Sequence, residues 1–563
     1  MRSGWWLFLL GLALMLGGSW AANRIQRSGG IAIHDIRFRS PAGTVMSALL
    51  YVPPSATTAT PAPGILAVHG YINSRETQDG FAIEFARRGY VVLALDQTGH
   101  GYSGGAAFSE GFGGPAALAY LRGLPMVDPA NIGLEGHSMG GWAVLAAAAA
   151  MPGGYRALVL EGSSTGKPFA TDGTPAWPRN LALVFSRYDE FSSIMWGVDR
   201  AQDIARSIKL QALFGSTAIV PGRIYGRIVD GTARRLTQPA TTHPGDHFSD
   251  AAIGDALDWF GQTLEGGTPR PAGDQIWFGK EVATGAALIG FVAFLMGSFD
   301  LLLALRVFAP LRRAAPAGRP HRNRRWWRDF AVTALVPAIT FFPAFIAVAL
   351  VLPPSSLLPQ TVTTQVMVWA LVNAGLTLLV SRRLSRAASP PAPPHWWRAA
   401  ILALATAALG YATLVAMAAW FTTDFRFWVV ALKPLGADQL RVALVYLIPV
   451  TFAHLVMLGT LARLAVAGDS RIVRYGAAML ALAGGFVLLL VIDYGVFLAT
   501  GRLPTAFDPL TTVIAIQFVP LLAAIAAIGT FTLHRTASAA PGGLLCGMLV
   551  TWYVVAGTAT QAL

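Results

Sequence analysis

Three serines of this 563-residue chain stand in the pattern Gly-x-Ser-x-Gly: Ser103, Ser138 and Ser164. A serine hydroxyl can attack a carbonyl carbon when a sharp turn between a strand and a helix exposes it. Ser138 has that context, because a short apolar run at 132–135 precedes it and an alanine-rich run at 139–151 favours a helix. Ser103 lies in a glycine-rich loop, and neither it nor Ser164 is followed by a helix-forming run. The context therefore selects Ser138 as the candidate nucleophile.

A serine nucleophile needs a base to take its proton, an acid to orient the base, and N–H donors for the oxyanion. In hydrolases built around such a turn, the chain order is serine, acid, histidine. A predicted strand at 181–185 is followed by Asp189 and Glu190. Open α/β sheets carry their sites in the loops beyond the carboxyl ends of their strands. We therefore predict Asp189 as the acid, with Glu190 as the alternative.

The candidate base lies in the segment 241–250, which precedes an amphipathic stretch at 251–264. This segment contains His243 and His247. Histidine suits proton transfer because its ordinary pKa lies close to neutrality. The spacing alone does not decide between the two histidines.

An oxyanion hole is predicted at a second turn, where the run 65–68 leads into His69-Gly70-Tyr71. In this arrangement the backbone N–H of Tyr71 pairs with that of Met139, the residue after the candidate nucleophile. A plain glycine turn is the alternative interpretation of this segment.

The elements that must position these residues lie between about 31 and 264, where short β-rich runs alternate with amphipathic or alanine-rich segments. This alternation is typical of a mostly parallel sheet flanked by helices, the α/β class. Residues 191–231 either cover the site, face a membrane, or form a helix packed on the domain. The predicted strands are 32–38, 45–52, 65–68, 90–95, 132–135, 157–160 and 181–185.

The rest of the chain is apolar enough for a lipid environment, since 54% of all residues are hydrophobic and only 13% are charged. Residues 1–23 predict a signal peptide or an N-terminal transmembrane anchor. The α/β domain is assigned to 30–266 and a linker to 267–280. An all-α transmembrane domain of about eight helices is assigned to 281–563, with spans at 282–308, 330–352, 361–380, 399–421, 442–467, 477–500, 511–533 and 544–563.

The net charge of +13 comes largely from arginines in the loops between these spans. Basic loops stay cytoplasmic, and their alternation places the α/β domain on the extracytoplasmic side. We therefore predict no nucleic-acid partner. The single cysteine, Cys546, excludes an intrachain disulfide and a cysteine-based metal cluster. The basic loop residues are Arg312, Arg313, Arg319, Arg322, Arg324, Arg325 and Arg328, then Arg382, Arg383, Arg386 and Arg398.

Four motifs occur in the order found in one family: His69-Gly70-Tyr71, the segment 87–103, the turn 136–140, and the loops carrying the candidate acid and bases. On these motifs the chain from about 31 to 264 resembles the α/β-hydrolase superfamily, in its dienelactone-hydrolase or serine-peptidase-like branch. The whole chain is similar to prokaryotic membrane-bound members with a multi-pass C-terminal tail.

The resemblance implies Ser138 as nucleophile, Asp189 as acid and His243 as base, since in the family the base stands a short loop before the last helix. It implies neither a cofactor nor a metal. The predicted function is a membrane-bound serine hydrolase that cleaves an ester, thioester, lactone or amide bond through an acyl-enzyme. The expected partners are a small-molecule or lipid ester substrate and membrane lipid; the oligomeric state is not predicted. The alternative is a membrane transporter or sensor whose hydrolase-like domain only binds a ligand.

Overall fold

The structure is a computed structural model that describes residues 2–314, 318–384 and 395–562. Arg386, one of the loop arginines used above, and Met1 and Leu563, which end predicted segments, lie outside the described residues. The chain divides into two compact units. The sheet unit comprises Ala21–Val282, Asp493–Pro509 and Gly557–Leu563, and the helical unit comprises Met1–Trp20, Ala283–Ile492 and Leu510–Ala556. The first helix, α1 (Arg2–Gln26), begins in the helical unit and ends in the sheet unit.

The sheet unit is built on nine strands: β1 (Ala32–Arg39), β2 (Val45–Val52), β3 (Ala62–Val68), β4 (Val91–Asp96), β5 (Val127–His137), β6 (Ala157–Glu161), β7 (Leu181–Val184), β8 (Ile224–Tyr225) and β9 (Arg234–Thr237). They form one sheet in the order β1-β2-β4-β3-β5-β6-β7-β9-β8. The six strands from β4 to β9 in this order are parallel, with β1 and β2 antiparallel at one edge and β8 antiparallel at the other. The predicted fold class is therefore confirmed. The prediction of seven strands was incomplete, because it missed β8 and β9.

Helices cover both faces of the sheet: α2 (Asp79–Arg87), α3 (Gly114–Arg122), α4 (Met139–Ala150), α5 (Ser192–Trp196), α6 (Ile208–Phe214) and α7 (Asp250–Thr263). In β3, Leu66 and Val68 join the hydrophobic cluster with α3 and α4, whereas Ile65 and Ala67 join the cluster with α2 and α7. A strand buried on both faces reads as a continuous apolar run, which is why this strand was recognised in the sequence.

The segment 191–231 packs mainly on the domain. Met195 and Leu213 are buried in the core, and Ser207 is fixed by its hydroxyl donating to the Trp196 carbonyl (2.6 Å). Two isoleucines of this segment are exposed, Ile194 by 60% and Ile208 by 85%.

The helical unit contains most of the long apolar helices: α8 (Trp277–Leu303), α9 (Arg324–Ile339), α10 (Phe341–Val351), α11 (Thr361–Leu384), α12 (Trp396–Phe421), α13 (Ala437–Leu464), α14 (Arg471–Thr500), α15 (Pro509–Thr536) and α16 (Ala539–Gly557). A small hairpin, β10 (Phe425–Phe427) and β11 (Val430–Leu432), accompanies them. Within the described ranges, nine segments are long and apolar enough to cross a membrane, with α9 and α10 counted as one. They fit a membrane-associated, multi-pass protein.

The predicted span 330–352 is not one continuous helix. The chain breaks at Thr340, between α9 and α10. Pro343 has no N–H with which to continue the helical hydrogen bonds across this point. At Thr340, the hydroxyl and the backbone N–H both donate to the Val336 carbonyl (2.9 Å each).

Candidate active site

Ser138 occupies the turn between β5 and α4, with φ 53° and ψ −119°. A non-glycine residue with positive φ costs about 1–3 kcal/mol and persists only where its surroundings hold it. One such restraint is the Ser138 backbone N–H, which donates to the Glu161 carbonyl of β6 (2.8 Å). The side chain is partly exposed, although His137 and Met139 on either side are buried.

The glycine two residues later makes this turn sterically feasible. A Cβ at Gly140 would lie 2.0 Å from the Val68 carbonyl oxygen, so the first turn of α4 can pack against the end of β3 only without a side chain there. The Gly-x-Ser-x-Gly pattern therefore reflects close contact between a helix and a strand.

Asp189 and His243 are brought together from two loops at the carboxyl edge of the sheet. Asp189 follows β7 and His243 follows β9, and these strands are parallel neighbours. His243 Nδ1 lies 2.9 Å from Asp189 Oδ2, and the Phe191 N–H donates to Asp189 Oδ1 (2.8 Å). Both side chains are buried. This is the arrangement in which an acid orients a base.

Burial controls the charge of this pair. Burial lowers the pKa of His243 to about 4, although the Asp246 carboxylate opposes this effect. The imidazole is consequently neutral at pH 7 and able to accept a proton. Burial, with the repulsion of Asp246, raises the pKa of Asp189 above its ordinary value.

The two residues left as alternatives have other contacts. Glu190 is not bonded to an imidazole; its Oε2 accepts the backbone N–H of His243 (2.8 Å). Burial, followed by the repulsion of Asp189, raises the pKa of Glu190 to about 8. The ring of His247 packs against that of His137, with ring centroids 4.1 Å apart.

Sequence reasoning missed Asp246 and His137. Asp246 accepts a hydrogen bond from the Ser186 hydroxyl, and its Oδ2 lies 3.6 Å from His137 Nε2. His137 Nε2 donates to the His243 carbonyl (3.0 Å). The position of Asp246, three residues after a candidate base, was the only available signal, and it did not distinguish this carboxylate from others in the loop.

Gly162 follows β6 and lies close to the side chains of His243, Asp246 and Asp189. It has φ +52°, and a Cβ there would lie 2.8 Å from His243 Nδ1, 3.0 Å from Asp246 Oδ2 and 3.1 Å from Asp189 Oδ2. Two carboxylates therefore face one imidazole.

The predicted oxyanion turn lies beside Ser138, since a Cβ at Gly70 would stand 3.1 Å from Ser138 Cβ. Met139 begins α4, where the first backbone N–H groups have no partner within the helix. No hydrogen bond joins Ser138 Oγ to His243 Nε2 in the part of the chain described here. The His243 ring is 4.6 Å from that of His137, the residue before Ser138.

An aromatic wall stands near the nucleophile, formed by Tyr71, Phe108, Phe169 and Trp142. Tyr71 stacks on Phe108 (5.7 Å between centroids), Phe108 on Phe169 (6.0 Å), and Phe169 contacts Trp142 (4.6 Å). Trp142 lies four residues after Ser138, one turn along α4. Phe108 and Phe169 are 39% and 43% exposed. The wall presents an apolar surface to solvent.

The other two serines of the repeated pattern have structural hydrogen bonds. Ser103 Oγ donates to the Asp96 carbonyl (2.7 Å) and accepts from the Ser47 N–H (2.9 Å). Ser164 Oγ accepts from Lys209 Nζ (3.2 Å). Neither occupies a strand-to-helix turn.

Comparison with known proteins agrees with this geometry. Residues 59–189 match the family described as "Serine aminopeptidase, S33". A monoacylglycerol lipase from Mycolicibacterium smegmatis is 35% identical over 108 residues, which are 17% of this chain and 36% of the lipase. The sheet unit has the α/β-hydrolase fold, and the match at 59–189 supports membership of that superfamily. The superfamily prediction is thus confirmed, and the aligned part spans about a third of that curated relative.

Solved structures similar to this chain include two enzymes. An esterase from Pyrococcus furiosus is 15% identical, with coverage of 42% of this chain and 95% of the esterase and a TM-score of 0.31. A dienelactone hydrolase from Anabaena variabilis is 19% identical, with coverage of 42% and 99% and a TM-score of 0.29. The α/β-hydrolase fold is recognised from the strand order of the sheet and from the strand-to-helix turn at Ser138.

Proposed function

We propose that this protein is a membrane-bound serine hydrolase that cleaves an ester bond by way of an acyl-enzyme. The observation that carries the proposal is the hydrogen-bonded pair Asp189–His243, held at the same sheet edge as the strained Ser138 turn. Asp189 accepts from Nδ1, which leaves Nε2 of a neutral imidazole as the base.

In the proposed mechanism, Ser138 Oγ attacks the carbonyl carbon of the substrate while its proton passes to His243 Nε2. The N–H groups of Tyr71 and Met139 donate to the oxyanion of the tetrahedral intermediate. His243 then gives its proton to the departing alcohol, and an acyl-Ser138 ester remains. A water molecule, deprotonated by His243, releases the acid and restores the serine. The hydrogen bond between Ser138 and His243 forms in the complex, as is common where the free enzyme holds these groups apart.

We assign a substrate class in which the ester carries an apolar acyl group. The aromatic wall supports this choice, because two of its rings are substantially exposed and it begins at Tyr71, in the oxyanion turn. Burial of apolar surface is worth about 25 cal/mol per Å², so an acyl chain lying along these rings gains binding energy. The lipase identity of the matched relative is in keeping with this class.

We also propose that the α/β domain, with its boundaries at 30–266, lies on the extracytoplasmic side, and that the transmembrane domain occupies 281–563. The support is the cluster of arginines in the loops 309–329 and 381–398, which precede and follow the uncharged loop 353–360 in the chain. Residues 1–23 remain assigned to a signal peptide or an anchor.

Membranes containing the full chain, treated with a fluorophosphonate probe, test the hydrolase assignment. We expect covalent labelling of the wild type and none after Ser138→Ala, with Ser103→Ala as a control that labels like the wild type. An unlabelled wild type, or equal labelling of Ser138→Ala, would refute the enzyme and favour a ligand-binding transporter or sensor.

A further inference from the structure

The segment Asp493–Pro509 lies far along the chain, yet it contacts the loops of the sheet unit that carry Asp189 and His243. The last turns of α14, from Asp493, belong to this unit with the residues up to Pro509. Tyr494 Oη donates a hydrogen bond to Glu190 Oε1 (2.6 Å). The sequence separation of these two residues is 304 positions.

Glu190 connects Tyr494 to the proposed base. While Oε1 accepts from Tyr494, Oε2 accepts the backbone N–H of His243 (2.8 Å). The Glu190 side chain is buried, so the energy of each hydrogen bond to it is little weakened by water. A carboxyl group held at both oxygens has a fixed plane, and the His243 backbone is fixed with it.

Further contacts hold the segment in place. The ring of Phe497 meets that of Tyr188 edge to face, 6.2 Å between centroids, and Phe497 is buried. The Tyr188 N–H donates to the Thr241 carbonyl (3.0 Å), which joins the acid loop to the base loop. Arg502 forms an ion pair with Asp199 (3.1 Å). The hydrogen bond from Tyr494 to Glu190 is therefore one of several contacts between this segment and the rest of the sheet unit.

We propose that Tyr494 is a positioning residue for His243, acting through Glu190. This inference rests on the proposed function. Tyr494 touches no reacting atom; its hydroxyl fixes the carboxylate that holds the His243 backbone, and so fixes the direction in which Nε2 points. Misplacing a catalytic group by about 1 Å costs about 100-fold in rate, so loss of one restraint is expected to cost less.

The test compares Tyr494→Phe with the wild type in membranes, by hydrolysis of 4-nitrophenyl butyrate and by the rate of fluorophosphonate labelling. We expect kcat and the labelling rate to fall about tenfold, with KM within about twofold, because the acyl site is unchanged. Tyr553→Phe is the matched control, since its hydroxyl donates to Gln517 Oε1 (2.8 Å) in the helical unit. It should retain wild-type kinetics.

A Glu190→Ala background separates positioning from a structural role. If Tyr494 acts through Glu190, Tyr494→Phe changes kcat by less than about twofold in that background. A tenfold loss there would overturn the inference. A Tyr494→Phe rate equal to that of Tyr553→Phe would also overturn it. So would a loss of rate that is fully explained by a smaller folded fraction in thermal melting. An unlabelled wild type refutes the proposed function itself, whereas a labelled wild type with an equally fast Tyr494→Phe refutes the positioning role alone.

Discussion

Gly162→Ala is the substitution that tests the convergence of charged groups most directly. The new methyl carbon would lie 2.8 Å from His243 Nδ1 and 3.0 and 3.1 Å from two carboxylate oxygens. Ordinary contacts to such a carbon begin about 0.5 Å farther out, so the imidazole and both carboxylates must move apart. The hydrogen bond of 2.9 Å between His243 and Asp189 does not survive that displacement.

We expect kcat/KM for 4-nitrophenyl butyrate to fall about 100-fold, because the base loses its orientation. The positive φ of +52° adds a cost of about 1–2 kcal/mol to folding when a Cβ is present. Gly197→Ala is the control, since Gly197 also has positive φ (+68°) but no atom within 4 Å of the added carbon. Gly162→Ala should lose more stability than Gly197→Ala in thermal melting, because only its methyl group meets other atoms, and only Gly162→Ala should lose activity per folded molecule. Equal activity of the two variants would refute the proposed convergence on His243.

Three further predictions follow from burial and from the loop charges. Fluorophosphonate labelling should stay high on acidification and reach half its maximum near pH 4, the lowered pKa of His243; a midpoint near 6.5 would contradict this. Burial raises the pKa of Glu135 to about 8, so its protonated form stabilises the fold at low pH and this stability is lost as pH rises through 8. Between pH 5 and pH 8 the wild type should lose about 3 kcal/mol more stability than Glu135→Gln, and parallel melting curves would count against this. Ser55→Cys, at an exposed site in a Cys546→Ala background, should react with an impermeant maleimide in intact cells; reaction only after lysis would reverse the orientation.

The sheet was predictable where burial makes a strand continuously apolar, and β2 was predicted with its observed bounds. The strand β9 was missed because Arg234 and Arg235 give it a polar sequence. Both are buried and have distant partners: Arg234 Nη2 donates to the Thr174 carbonyl (2.8 Å), and Arg235 pairs with Asp258. Strand propensity depends on such tertiary partners, which a local pattern does not contain.

The site residues also divide into those with a local sequence signal and those that depend on tertiary partners. Ser138 was recognisable because its turn is local, with the strand and the helix adjacent in sequence. The roles of Glu190 and Asp246 depend on which oxygen faces which nitrogen across two loops, and spacing does not encode this. Tyr494 had no local signal at all, since it lies within an apolar helix and its partner is 304 residues away. The triad and oxyanion-hole residues are predictions that the labelling experiment tests.

The backbone geometry of Ser138 has a consequence for protein engineering. Glycine adopts a positive φ without steric cost, so Ser138→Gly relaxes the turn while it removes the hydroxyl. At position 138, glycine favours folding and serine is required for turnover, which is a trade-off between stability and activity. The Ser138→Gly variant is therefore expected to bind the natural ester without cleaving it. The bound ester could then be isolated and identified chemically.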